Sequence, residues 1–186
     1  MSHSPVSHLA HEVIRAFAEE HQTIATAESL TGGLLCAALT HVPGSSAVVR
    51  GGVVAYSTDI KRDVLDVDEG LLEAMGAVNP DVAASMAQGA CAMLGADVGV
   101  ATTGVAGPDE QDGVPVGTVF IAIATPERIL QVLELDLTGS REEIRVQSVR
   151  AKMVEPGFAW IRVSQFQDRT VEDFARKIED MYKEEP

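Results

Sequence analysis

Apolar positions along the chain alternate between two rhythms. Val6, Leu9, Val13, Ile14 and Phe17 recur three and four apart behind Ser4-Pro5, an N-cap followed by proline at the first helical position, so an amphipathic helix opens the chain. The run Thr23 to Ala27 predicts a short strand, and Leu34 to Leu39, beyond Glu28-Ser29-Leu30-Thr31-Gly32-Gly33, predicts a helix. Val42-Pro43-Gly44-Ser45-Ser46 is a turn cluster, and Val48 to Tyr56 predicts a buried strand whose Gly51-Gly52 pair marks a bulge or a close backbone approach. Ile60, Val64 and Leu65 form the apolar face of a short helix. Asp68 caps another from Glu69 to Met75, and Asn79-Pro80 opens a longer, alanine-rich one that Gly95 stops. Ala96 to Thr103 predicts a strand, and the run from Pro115 to Ala124 returns through Ile129 to Leu137 as an antiparallel hairpin. Ser140 with Glu143 is a capping-box pattern for a helix containing Arg141, Arg145 and Arg150 and broken at Pro156-Gly157. Past Val154 the character changes, and Val171, Phe174, Ile178 and Met181 line one side of a last helix opened by Thr170, a docking element for its own domain or a second subunit.

Strands and helices in alternation, closed by a hairpin and a helix, indicate an α/β protein: a three-layer α/β/α sandwich with a mixed, mainly parallel sheet including one antiparallel hairpin. The 186 residues, 46% hydrophobic, suffice for one well-buried core, so one domain over residues 1–153 and an extension over 154–186 are expected. Composition narrows the partners. A formal net charge of -14 disfavours a nucleic-acid or anionic-membrane surface, while leaving room for a local basic pocket that holds one phosphate. No apolar run approaches the roughly 20 residues that span a bilayer, and the first residues lack a basic start followed by an apolar core, so a cytoplasmic protein is expected. Cys36 and Cys91 lie in apolar helix-like segments, as buried reduced thiols do, and the five histidines make no metal spacing with them; no metal is expected.

Three chemically rich segments should meet where strands end in such folds: the Ser29 turn, Tyr56 to Lys61, and Thr103 to Asp109. Ser29 is the first candidate nucleophile, beside the free N–H groups of a helix's first turn near Thr31, Gly32 and Gly33. The plainer reading is that Ser29 or Thr31 caps the helix and the glycines permit close packing. Ser46 competes for the role, since its turn precedes the strand that carries Tyr56, and Ser57 competes more weakly. No histidine stands at a spacing that supports a Ser-His-Asp triad, but a lysine can replace the histidine as base. Lys61 would do so if partial burial lowers its pKa, with Tyr56 passing protons or holding the amine; as an ordinary helix lysine it would face solvent. Arg141 and Arg145, four apart, share a helical face from which either could reach a phosphate.

The stretches TAESLTGG, GSSAVVRGGVVAYSTDIKRDVLDV, TTGVAGPD, PVGTVFIAIA and GSREEIRVQSV, in this order and spacing, resemble the CinA carboxyl-terminal domain family over roughly residues 5–153. That family includes stand-alone nicotinamide mononucleotide deamidases. The resemblance implies hydrolysis of the nicotinamide amide of nicotinamide mononucleotide to nicotinate mononucleotide and ammonia by a serine and lysine pair, without metal or organic cofactor, in pyridine nucleotide recycling toward NAD. It places Ser29, Ser46, Tyr56 and Lys61 in the reaction centre. It assigns Glu28, Thr31, Gly32, Gly33, Thr103, Gly104, Ala106, Gly107 and Arg145 to substrate contact, with Arg145 as a phosphate partner, and it implies a homo-oligomer, a dimer first. An alternative function is a catalytically idle nucleotide-binding or partner-binding module, since some members are associated with competence and DNA-damage genes. The chain departs from the family twice. The amino-terminal nucleotide pyrophosphatase domain of the two-domain members has no counterpart in these 186 residues, so that activity is not expected, and the segment after about Val154 does not match the family's final helix.

Overall fold

The computed structural model describes residues 5–149, 151–155 and 158–161, with side chains from residue 9 to 149. Five strands form one sheet: β1 (Ile24–Glu28), β2 (Val49–Val54), β3 (Val98–Gly104), β4 (Thr118–Ala124) and β5 (Ile129–Asp136), in the order β2-β1-β3-β4-β5. β1 is parallel to both β2 and β3, whereas β4 runs antiparallel to β3 and to β5. The sheet is mixed, as expected, and the hairpin's first strand adds a second antiparallel ladder to the one inside the hairpin.

Helices cover both faces. On one side α1 (Pro5–Glu19), α2 (Leu34–Thr40) and α6 (Arg141–Gln147) bury Val13, Phe17, Leu35, Leu39 and Ile144 against Ile24, Val100 and Ile121. On the other, α3 (Thr58–Leu65), α4 (Glu69–Met75) and α5 (Pro80–Leu94) bury Leu65, Leu72, Val82 and Met86 against Ala25, Ala27, Ala101 and Ala122. The alternation follows the strand period of two, and it sends Glu28 toward α2 while Ser29, the next residue, turns toward the α3 side.

The second layer packs close because its contacts are small. A Cβ at Gly99 would collide with the Ala87 carbonyl of α5, and a Cβ at Gly89 would collide with the Leu65 carbonyl of α3. Backbone therefore touches backbone, and α3 is pressed onto α5 one turn beyond Lys61.

The caps read from sequence are in place: Asp68 accepts from the Leu71 N–H at 2.7 Å, Asn79 from the Asp81 N–H at 2.8 Å, and Ser140 and Glu143 form the reciprocal box. Gly95 ends α5 in the left-handed region, at φ 62°. Gly51-Gly52 does both things expected of it. The β1–β2 register slips between Ile24 and Ala25, and a Cβ at Gly52 would collide with Thr26 Oγ1.

Two elements differ from expectation. β2 is an edge strand, not a buried one: no described strand pairs on its far side, and its alternate residues Arg50, Gly52 and Val54 are exposed. α6 stops at Gln147, short of Arg150: the Ser148 hydroxyl bonds back to the Ile144 carbonyl at 2.8 Å and the Val149 N–H closes on Val146 O, tightening the last turn. Where that helix was expected to continue, Ala151–Glu155 pairs antiparallel with Phe158–Ile161 in a separate two-stranded ribbon, β6 and β7. The helix read at Thr170 and beyond lies outside the described residues. Among the described residues no helix is long and apolar enough to cross a membrane.

Candidate active site

The carboxyl ends of β1, β2 and β3 open on a cleft of about 320 Å³, a size that suits a small-molecule ligand. Ser29 and Leu30 line it from the turn after β1, Tyr56 from the segment after β2, Gly104 to Gln111 from the loop after β3, and Arg141 from the start of α6.

Ser29 is held by its own backbone. Its N–H donates to the Thr102 carbonyl at 2.9 Å, extending the β1–β3 ladder by one residue, and its carbonyl accepts from the Gly32 N–H at 3.0 Å as the chain reverses. The reversal needs Gly32 and Gly33 at φ 61° and 94°, where side chains are strained, and leaves Ser29 8% exposed at the cleft floor. Beneath it Thr31 and Thr102 share a hydroxyl bond of 2.8 Å.

Lys61 meets Ser29 from α3. Its Nζ lies 3.0 Å from Ser29 Oγ and 2.9 Å from the Ala55 carbonyl, and the residue is 1% exposed. No carboxylate of the described residues faces the amine. Burial therefore disfavours the ammonium form uncompensated and pulls the pKa from 10.5 down to about 8. The surface reading of Lys61 is overturned, because the helix carrying it is pressed onto α5 through Gly89.

Glu28 has a different task from the one implied by the resemblance. Its carboxylate is 1% exposed and accepts the N–H groups of Gly33 and Leu35 at 3.0 Å each and of Cys36 at 2.7 Å. It thus fills the N-terminus of α2, where anions are favoured, with an internal anion, and it does not line the cleft. The helix start is then closed to an oxyanion. Of the donors expected at Thr31 to Gly33, those of Gly32 and Gly33 are taken, and the N–H groups of Leu30 and Thr31 are the ones in the turn without an acceptor among the described residues.

Other residues separate in the same way. Ser46 is exposed in a single 3₁₀ turn (Ser45–Ala47) before β2, at the opposite edge of the sheet; six strand residues at about 3.3 Å each put roughly 20 Å between that turn and the cleft. The error has a simple cause: a turn before a strand and one after it look alike in sequence. Ser57 precedes α3 as its exposed N-cap. Thr103 points away from the cleft, its hydroxyl donating to the Ala77 carbonyl at 2.8 Å, whereas Gly104, Ala106 and Gly107 line it. Arg145 donates from Nε to Leu30 O at 2.9 Å and from an Nη to Thr31 O at 3.2 Å, so it braces the Ser29 turn from behind and is not a cleft residue. Arg141 is the arginine in the cleft. Its two terminal nitrogens donate at 2.6 Å to the Gly107 carbonyl and to the Tyr56 hydroxyl, and Tyr56, 58% exposed, stands at the rim and makes no bond to Lys61. The amine is held by the Ala55 carbonyl instead, a backbone group that no side-chain pattern reveals. Among the described residues no three His, Cys, Asp or Glu side chains gather as a metal site.

Fold and site together define a three-layer α/β protein with a buried serine–lysine pair at the carboxyl edge of its parallel strands. A family model described as the CinA C-terminal domain matches residues 6–155, and the chain belongs to that family. It is 49% identical over 137 residues to a CinA-like protein of Frankia casuarinae, covering 74% of this chain, and 48% identical over 133 residues to one of Mycolicibacterium gilvum, covering 71%. The chain spans about a third of the length of those curated relatives, 31% and 32%. Solved structures of similar fold include the competence/damage inducible protein CihA from Agrobacterium tumefaciens, at TM-score 0.72 and 39% identity over 78% of this chain and 90% of that one. A CinA superfamily protein from Klebsiella pneumoniae aligns at TM-score 0.73 and 35% identity, over 76% and 89%.

Proposed function

We propose that this chain is an amidohydrolase that releases ammonia from the carboxamide of nicotinamide mononucleotide, leaving nicotinate mononucleotide. The observation that carries the reading is the 3.0 Å contact between Ser29 Oγ and a buried Lys61 amine that has no counter-ion among the described residues. A structural lysine gains nothing from such burial, while a general base needs a pKa near working pH. The substrate comes from the likeness of the motifs to the stand-alone deamidases of this family.

In the mechanism, neutral Lys61 takes the Ser29 proton as Oγ attacks the carboxamide carbon. The tetrahedral oxyanion forms beside the turn, where the Leu30 and Thr31 N–H groups are the available donors. Collapse breaks the C–N bond, Lys61 returns its proton to the departing nitrogen, and ammonia leaves. Water, deprotonated by Lys61, then hydrolyses the acyl–serine ester to the carboxylate and restores the hydroxyl. The Ala55 carbonyl orients the amine by accepting one N–H at 2.9 Å, and loss of the amine's proton frees its lone pair for Oγ, 3.0 Å away.

The test is release of ammonia and nicotinate mononucleotide from nicotinamide mononucleotide by the purified chain. A folded chain that binds the nucleotide and leaves it intact through long incubation at high enzyme concentration would be a binding module instead.

A further inference from the structure

Arg145 is held in a way that a surface arginine is not. It is half-buried on α6 and takes part in none of the ion pairs among the described residues. Its guanidinium goes instead to two consecutive backbone carbonyls, Leu30 O from Nε at 2.9 Å and Thr31 O from Nη2 at 3.2 Å. The fork lies so close to the turn that a Cβ on Gly32 would stand 3.1 Å from Nη2. Such a grip fixes peptide planes. The Leu30–Thr31 peptide is trans, and a trans peptide points its N–H opposite its carbonyl. Fastening Leu30 O to Arg145 therefore sets the direction of the Thr31 N–H, away from the guanidinium, and the Thr31 hydroxyl, tied to Thr102 at 2.8 Å, anchors the same residue by its side chain. The preceding plane is set without Arg145: Ser29 O accepts the Gly32 N–H at 3.0 Å, which directs the Leu30 N–H. Leu30 and Thr31 carry the N–H groups of this turn that have no acceptor among the described residues.

Building on the amidohydrolase reading, we propose that Arg145 is a positioning residue for the oxyanion. It touches no substrate and acts through the Leu30–Thr31 peptide, aiming the Thr31 N–H at the oxygen of the tetrahedral intermediate. A full positive charge on the carbonyl also polarises the peptide it grips, which strengthens the N–H as a donor. Two donors on one planar fork span two successive carbonyls, whereas a lysine ammonium is a single point and grips one. The plane is set before substrate arrives, so no reorganisation is left for the moment of reaction.

The experiment compares Arg145→Met and Arg145→Lys with the parent by kcat and KM for nicotinamide mononucleotide, by affinity for the product nicotinate mononucleotide, and by affinity for pyridine-3-boronic acid, with boron NMR to report a tetrahedral adduct. In that adduct the Ser29 oxygen gives a lone pair to boron, its proton passes to Lys61, and the boronate carries the negative charge beside the turn, as the intermediate does. Arg145→Met should lower kcat about 10- to 100-fold and weaken the boronate by a similar factor, with KM and product affinity held within about threefold. Arg145→Lys should recover part of both losses. A folded Arg145→Met that keeps kcat within about threefold of the parent overturns the proposal. So does one that loses product affinity in step with the boronate, the pattern of a side chain that merely holds the ligand or the fold. If Arg145→Met does not fold, Arg145→Lys decides by the same comparisons. A parent that leaves the amide intact yet forms the boronate adduct, weakened in Arg145→Met, keeps the aimed donor and loses only the amidase reading. A parent that does neither eliminates the donor pair and the proposal with it.

Discussion

Glu28 and Lys61 are both 1% exposed and carry opposite charges on two sides of the same strand end, yet their surroundings differ in kind. Glu28 is met by three backbone N–H groups at the positive end of a helix, so its charge is consumed in holding a turn. Lys61 is met by a carbonyl and a serine hydroxyl, with no opposite charge among the described residues to repay its desolvation. A buried charge that is satisfied builds structure; one left unsatisfied is a reservoir for chemistry. Glu28 holds the turn that carries Ser29; in the proposed mechanism Lys61 takes the Ser29 proton.

The sharpest way to break the contrast is to remove the unsatisfied member. Lys61→Met, and likewise Ser29→Ala, should lower amide hydrolysis by about 10³-fold or more, while the Lys61→Met chain melts no lower than the parent because an uncompensated buried cation has gone. A lysine variant that loses stability in step with activity would show Lys61 to be structural. Next in size is the pH profile. Burial lowers the Lys61 pKa to about 8, so the neutral amine, the active form, gains population as pH rises. From pH 6 the value of kcat/KM should climb about tenfold per unit and level off above about 8. A profile flat from pH 6 to 9 would dismiss Lys61 as the base.

The opposite expectation attaches to Glu28. Glu28→Ala leaves three buried donors without their carboxylate and should cost about 3 kcal/mol of stability in urea denaturation, with any loss of activity following from a displaced Ser29 turn. Glu28→Gln keeps one acceptor oxygen and should cost less. Smallest of all is Ser46→Ala, which should leave kcat/KM within about twofold of the parent, since its hydroxyl is exposed at the far edge of the sheet. A large loss there would require Ser46 to reach a cleft other than that of its own chain.

The two charges also mark how far sequence reading reaches. Asp68, Asn79 and the Ser140–Glu143 box act on neighbours within three residues, and all were legible because caps are local hydrogen bonds. Ser29 and Lys61 were legible as candidates from their motifs. The removal of Ser46, the exchange of Arg145 for Arg141 in the cleft and the commitment of Glu28 to α2 were not, because each depends on which sheet edge or helix face a residue occupies. Arg141 and Arg145 share a helical face one turn apart, and only the docking of α6 sends one to the cleft and the other behind the turn.

By itself the sequence determined what short-range physics determines: the alternation of strand and helix, the caps, the glycines that let strand and helix backbones touch, and the family to which the motifs belong. Tertiary structure decided the rest, namely that α3 is pressed onto α5 through Gly89, that Lys61 is thereby dehydrated beside Ser29, and that Glu28 closes the helix end. The reason is physical. A pKa or a filled helix terminus depends on everything that surrounds a group in space, and residues 32 positions apart in the chain become 3.0 Å neighbours only when the sheet is assembled.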